Sequence, residues 1–132
     1  MAHVDVQKVV AILQREFAGS SVTFTDDGSG TGGGWVIIDP VTIGDRYTKN
    51  QTWMGAHLNG LLPFADIYPL YIGSDVQQAS GAGHFPAITP GHNFQGRAAL
   101  QVSKRTNHTL VPTAEAAAMK FIKVLHYIKE GP

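Results

Sequence analysis

Apolar residues recur at helical spacing near both ends of the chain. The N-terminal stripe consists of Val6, Val9, Val10, Leu13 and Phe17. The C-terminal stripe consists of Ala117, Phe121, Val124, Leu125 and Ile128. Each set lies on one side of a helix with 3.6 residues per turn, which is typical of a surface helix packed on a core. We therefore predict a helix over 5–18, with Asp5 as N-cap and a stop at Gly19, and a second helix over 113–130, with Thr113 as N-cap.

Between the two stripes the hydrophobic pattern changes to that of strands. Four segments are rich in β-branched and aromatic residues or alternate in polarity: 21–26, 35–39, 52–58 and 67–72. Pro40 should interrupt pairing after the second segment, and Pro69 predicts an edge position or a bulge for the fourth. The pattern predicts an antiparallel meander of about four strands.

The segment from Gly73 to Gln95 has little periodicity and contains several glycines and prolines. Irregular segments of this length are uncommon in compact domains and often carry function. A short extended segment is expected over 98–102. The predicted fold is therefore α+β in two layers: a helix, about four antiparallel strands, a long irregular segment that resembles an active-site region, and a helix. We expect one domain over residues 1–132.

The core of such a sandwich should hold the largest apolar side chains of the stripes and of the second strand. We predict burial of Phe17, Trp35, Ile37, Phe121 and Leu125.

Charge and composition argue against several classes of function. Ten basic residues balance ten acidic ones, so neither a nucleic-acid nor a membrane partner is expected. No apolar run approaches the roughly 20 residues of a membrane span. Because the N-terminus lacks a basic region followed by an apolar one, we expect no signal peptide and a cytoplasmic location. The chain has no cysteine, which excludes disulfides and thiolate chemistry, and nothing in it predicts a cofactor.

A glycine-rich stretch, Gly28 to Gly34, contains the pattern G-x-G-x-x-G. That pattern binds pyrophosphate where it opens a helix, because the helix N-terminus attracts the anion. Here a predicted strand follows, so we interpret the stretch as a hairpin loop.

Three histidines, His84, His92 and His108, lie in or near irregular segments that can fold back on one another. The chain lacks H-E-x-x-H and any cysteine ligand, so hydrogen-bonded histidines are expected rather than a metal site. A histidine-dependent metal hydrolase stays open as one alternative.

The densest group of polar side chains lies at His92, Asn93, Gln95 and Arg97. Their donors and acceptors serve many geometries, and we place the functional site in this region. A basic cluster overlaps it and consists of Arg97, Lys104, Arg105 and His108. Such a cluster favours recognition of a carboxylate, a phosphate or an acidic protein surface.

The order of elements and three motifs resemble the ubiquitin-conjugating enzymes, in their divergent bacterial branch. Tyr68-Pro69 resembles the family's Tyr-Pro signature at the end of the meander. The stretch from His84 to Asn93 is similar in placement to its His-Pro-Asn region. The segment from Gly96 to Ser103 resembles the family's glycine-to-cysteine segment, in which the cysteine follows the glycine by three residues.

The resemblance implies a set of site residues. The cysteine position falls on Ala99, which cannot form a thioester. His92, Asn93 and Arg97 are the implied donors beside the reacting carbonyl. The implied substrate-binding residues are His84, Gly96, Ser103 and Arg105. Ala99 should then lie near the surface, beside a shallow groove.

Two functions follow from the resemblance. One is a conjugating-enzyme-like protein that carries or binds the tail of a ubiquitin-like modifier and works with an activating, adenylating enzyme. The other is a non-catalytic binding module or scaffold of the same fold. Either a substitution removed the cysteine or the chain naturally lacks it, and the sequence leaves both explanations open.

Overall fold

Both predicted helices are present in the computed structural model, which describes residues 3–132. Helix α1 spans Val4–Glu16, and helix α2 spans Ala114–Glu130. The hydroxyl of Thr113 accepts a hydrogen bond from the Ala116 N–H at 3.1 Å, which confirms the predicted N-cap of α2. At α1 the cap is His3 rather than Asp5, because the His3 ring accepts from the Asp5 N–H at 3.3 Å.

The strands form one six-stranded antiparallel sheet. They are β1 (Ser21–Asp26), β2 (Gly34–Thr42), β3 (Gln51–Leu58), β4 (Leu70–Gly73), β5 (Ile88–Phe94) and β6 (Arg97–Val102). Their order in the sheet is β1-β2-β3-β4-β6-β5. The first four strands are the predicted meander and the α+β class is confirmed, but the predicted number of about four strands is too low.

Strand β5 is the one strand that the sequence pattern does not predict. It lies inside the segment predicted to be irregular, and it pairs with β6 as a hairpin that extends the sheet beyond β4, with β6 beside β4 and β5 at the edge. The pairing register shifts between Thr89 and His92, a bulge that spans Pro90 and Gly91. A bulge that contains proline and glycine removes the regular alternation on which strand prediction depends.

The two predicted proline effects have different outcomes. The register of β2 shifts between Ile38 and Val41, around Pro40, but the strand resumes and runs to Thr42. Neither the edge position nor the bulge predicted from Pro69 is present, since β4 lies between β3 and β6 and pairs with both without a register shift. Pro69 directly precedes Leu70, the first residue of β4, so it removes no donor from the ladder.

Both helices pack on the same face of the sheet. Alternate side chains of β2 and β3 join a core shared with Val9, Leu13, Phe121 and Ile128 of the helices, and other strands add to it. The strand residues of that core include Val36, Ile38, Met54, Ala56, Leu58, Leu70, Ile72, Ile88, Leu100 and Val102. We call the opposite side of the sheet the open face.

Of the five residues predicted to lie in the core, one is fully buried and four are partly buried. Phe121 is fully buried, as predicted. Trp35 and Ile37 are only partly buried, because Val36 and Ile38 occupy the helix-facing positions of β2. Phe17 and Leu125 pack at the margin of the core and are also partly buried. The prediction of full burial is therefore wrong for these four residues.

Within the described residues 3–132, neither helix is long and apolar enough to cross a bilayer.

The glycine-rich loop before β2 is a hairpin loop, and Asp27 anchors it. One carboxylate oxygen of Asp27 accepts from the Ser29 hydroxyl at 2.5 Å and from the Ser29 N–H at 2.9 Å. The other accepts from Nε2 of His57, on β3, at 2.8 Å. These donors, the Ser29 hydroxyl first and then His57, lower the pKa of Asp27 from its ordinary 3.8 to about 2.

Replacement of Phe121 tests the core. We expect Phe121→Ala to lower the free energy of unfolding by about 3–5 kcal/mol, because a buried ring leaves a cavity. The control is Phe64→Ala, at a loop position that is 75% exposed, which should change stability by less than about 0.5 kcal/mol. Urea denaturation measures both, and similar losses in the two variants would contradict the assigned core.

The acid dependence of stability tests the Asp27 anchor. A carboxyl group whose pKa is lowered by folding stabilises the protein above its unfolded pKa, and that contribution is lost as the pH falls through the folded pKa. We therefore expect the stability difference between the unmodified chain and Asp27→Asn to be constant above pH ~5 and to shrink from about pH 4 to about pH 2. Denaturation at several pH values measures it. A difference that does not change with pH would mean that the charge of Asp27 stabilises nothing.

Candidate functional site

The hairpin of β5 and β6 carries most of the predicted site residues. Its turn consists of Gln95 and Gly96, whose φ angles are 50° and 78°. Two central residues with positive φ form the tight turn that suits the twist of a hairpin, and glycine adopts this conformation without strain. The side-chain oxygen of Asn93 accepts from the Gly96 N–H at 3.2 Å. Asn93 and Gly96 therefore hold the turn together.

The hairpin register brings the predicted donors beside position 99. His92 pairs with Ala99, Asn93 pairs with Ala98, and Phe94 pairs with Arg97. The sequence thus identified a group of neighbours, although it placed them on an irregular segment rather than on two paired strands.

The predicted surface location of Ala99 is wrong, because its side chain is only 1% exposed. Ala99 lies in the middle of β6, between Gly73 of β4 and His92 of β5. Its neighbour Leu100 belongs to the helix-facing core, so alternation turns Ala99 toward the open face. The predicted extended segment over 98–102 is a strand with a partner on each side, and these partners cover position 99.

Aromatic rings cover the centre of the open face. The Phe94 ring lies directly on Gly55 of β3, where an added Cβ would come within 2.5 Å of the ring. It stacks on Tyr71 with centroids 4.9 Å apart and on Trp53 with centroids 6.0 Å apart. Phe94 is 5% exposed, while Trp53 and Tyr71 are half-buried. The Phe94 side chain therefore reaches from the edge strand across the open face to β3 and β4.

Two polar groups border these rings. The guanidinium of Arg97 lies 5.3 Å from the Trp53 ring centroid and 3.5 Å from a carboxylate oxygen of Asp39. The His92 ring meets Tyr71 edge-on at 6.4 Å, and a hydrogen bond joins its Nε2 to the Thr89 hydroxyl at 3.1 Å. Trp53, Tyr71, His92, Phe94 and Arg97 together form what we call the open-face cluster. It offers stacking, cation–π and hydrogen-bonding contacts.

The remaining predicted residues lie elsewhere. Ser103 follows β6, and its hydroxyl accepts from the Gln101 amide at 3.0 Å. Arg105 stacks on Tyr68, 3.9 Å from the ring centroid. His84 lines a separate cavity beside Gln78. The hairpin therefore holds five of the predicted residues, and Arg105 and His84 lie apart from it. Ser103 is linked to Tyr71 through Gln101, whose side-chain oxygen accepts from the Tyr71 hydroxyl at 3.1 Å.

An ion pair joins the loop between β3 and β4 to helix α2, and Thr106 links the segment after β6 to both of its members. The ammonium of Lys120, 7% exposed, donates to both carboxylate oxygens of Asp66 at 2.9 and 3.1 Å. It also donates to the Thr106 hydroxyl at 3.1 Å, and Thr106 in turn donates its N–H and O–H to Asp66 at 2.8 Å. Burial acts to raise the pKa of Asp66, but the donors from Thr106 and Lys120 outweigh it and lower the pKa.

The histidines do not converge. His84 and His92 lie in different surroundings, and Nδ1 of His108 donates to the carbonyl of Thr109 at 2.9 Å. Within residues 3–132, no three histidine, aspartate or glutamate side chains are placed to hold a metal ion. The arrangement therefore gives no support to the metal-hydrolase alternative.

Sequence reasoning missed the aromatic part of the cluster and the buried lysine. In the sequence, Trp53 and Tyr71 each stand between residues that face the helices. Alternation within β3 and β4 could therefore have placed both rings on the open face. Lys120 falls within the apolar stripe of α2, beside Phe121 and Val124. A lysine in a buried stripe indicates a carboxylate partner.

Comparisons of the chain with models of protein families, with curated proteins and with solved structures find no match. The interpretation of the site therefore rests on its geometry and on the resemblance carried by the motifs.

Proposed function

We propose that the chain is a non-catalytic binding module whose open-face cluster contacts a protein partner. The observation that carries this proposal is the group of half-exposed aromatic and cationic side chains on the uncovered side of the sheet. The resemblance to conjugating enzymes supplies the partner class, a ubiquitin-like modifier.

The composition of the open-face cluster supports binding. Tryptophan, tyrosine and arginine are the residues that most often dominate the binding energy of protein interfaces. Stacking on Phe94 already restrains Trp53 and Tyr71, so their ordering costs little when a partner binds. Arg97 retains a side chain that is 43% exposed and can bind a carboxylate of the partner.

The burial of position 99 argues against a carrier role. A thioester carrier needs a thiolate that both the modifier and the attacking amine can reach. At position 99 the sulfur atom of a cysteine would be attached to the Cβ of a residue that is 1% exposed, inside a paired strand. A binding module needs neither the thiol nor an activating enzyme.

Tryptophan substitution tests the binding surface. We expect the chain to bind at least one member of a panel of ubiquitin-like proteins, ubiquitin included, and Trp53→Ala to weaken that binding at least about tenfold. The control is Leu61→Ala, which removes a side chain that is 68% exposed and outside the cluster, and which should change affinity less than about twofold. Calorimetric titration measures both. Equal losses, or no binding by any panel member, would contradict the proposal.

A paired cysteine substitution tests the absence of a carrier site. We expect the thiol of Ala99→Cys to react with a disulfide reagent at least about tenfold more slowly than that of Ala98→Cys, because residue 98 is exposed and residue 99 is buried. Absorbance of the released thiolate measures both rates. If Ala99→Cys reacts as fast, or forms a reductant-sensitive adduct with a modifier, the conjugating-enzyme interpretation replaces the binding module.

A further inference from the structure

A cavity of about 210 Å³ lies between the segment after β6 and helix α2, on the helix side of the sheet. The residues that supply its charge, a polar donor and its apolar wall are Lys104, Arg105, Asn107, Lys123, Val124 and Tyr127. It is therefore separate from the open-face cluster, and its function does not depend on that cluster.

The cavity is positively charged. Lys104 comes from the segment and Lys123 from the helix, and no carboxylate of residues 3–132 lies within 4 Å of either ammonium group. Lys120 also borders the cavity, but Asp66 neutralises its charge. Two unneutralised ammonium groups beside one space favour an anion.

Part of the cavity wall is held in place before any ligand binds. The hydrogen bonds among Asp66, Thr106 and Lys120 tie the segment to α2. The hydroxyl of Tyr127 donates to the carbonyl of Pro86, and the ammonium of Lys104 lies 4.5 Å from the Tyr127 ring centroid. A preorganised site loses less conformational entropy on binding than one that must form around its ligand.

One wall is apolar, since Val124 and the Tyr127 ring line it. A ligand that uses the whole cavity therefore carries a flat or apolar group beside its charge. A volume of about 210 Å³ limits that group to about one ring system.

We propose that this cavity binds a small phosphate monoester that carries one flat or apolar group. A phosphate dianion neutralises both ammonium groups, whereas a carboxylate would neutralise one, and lysine is a common ligand of phosphate as a point charge. The side-chain amide of Asn107 supplies a further donor to the phosphate oxygens.

Calorimetric titration of the full chain with phenyl phosphate, inorganic phosphate and benzoate tests the proposal. We expect phenyl phosphate to bind more tightly than either fragment, since only it uses both the charged and the apolar walls. Lys104→Gln and Lys123→Gln should each weaken its binding at least about tenfold, the usual cost of losing a charged hydrogen bond.

The matched control is Lys129→Gln, which removes the same charge from an exposed position of the same helix outside the cavity. It should change the affinity less than about twofold. Thermal unfolding checks that every variant is folded. No saturable binding of phenyl phosphate, equal losses in all three lysine variants, or benzoate binding as tightly as phenyl phosphate would each overturn the proposal.

Discussion

Strand β3 presents Met54, Ala56 and Leu58 to the helices and Trp53, Gly55 and His57 to the open face. Because successive side chains of a strand point in opposite directions, one register determines both surfaces. A slip of one residue would place an indole in the core and expose the core methyl groups. The helix packing and the open-face cluster therefore depend on the same pairing of β3 with β2 and β4.

Gly55 links the register of β3 to the hairpin of β5 and β6. Since an added Cβ at residue 55 would come within 2.5 Å of the Phe94 ring, only glycine lets that ring lie on β3. The ring lies beside the turn end of the hairpin, where Arg97 pairs with Phe94 and contacts Trp53 and Asp39. A missing side chain on one strand thus positions the functional groups of a hairpin that is distant in sequence.

The sequence predicted the parts of the fold that depend on local pattern. The stripes of α1 and α2, the Thr113 cap and the four-stranded meander follow from the spacing of apolar residues and from capping chemistry. Pattern alone did not identify β5, because the bulge around Pro90 interrupts its alternation. It also did not decide which face of β2 meets the helices, since Trp35 and Ile37 are as apolar as Val36 and Ile38.

The candidate site likewise has a part that the sequence predicts and a part that it does not. Neighbours within the hairpin, His92, Asn93 and Arg97, were predicted because they are close in sequence. The contacts of Arg97 with Trp53 and of Lys120 with Asp66 join residues that are 44 and 54 positions apart, and only the fold brings them together.

A net charge of zero conceals how unevenly the charges are distributed. Asp66 neutralises Lys120, and Asp39 lies beside Arg97, whereas Lys104 and Lys123 face the same cavity without a carboxylate within 4 Å in residues 3–132. The net charge counts each of these cations as one positive charge, although the electrostatic effect of each depends on whether an anion is adjacent. The equal number of basic and acidic residues argues against a broad nucleic-acid-binding surface, but it is compatible with a local anion site. The carboxylate that pairs with Lys120 stabilises the wall of that site and leaves Lys104 and Lys123 to attract the ligand.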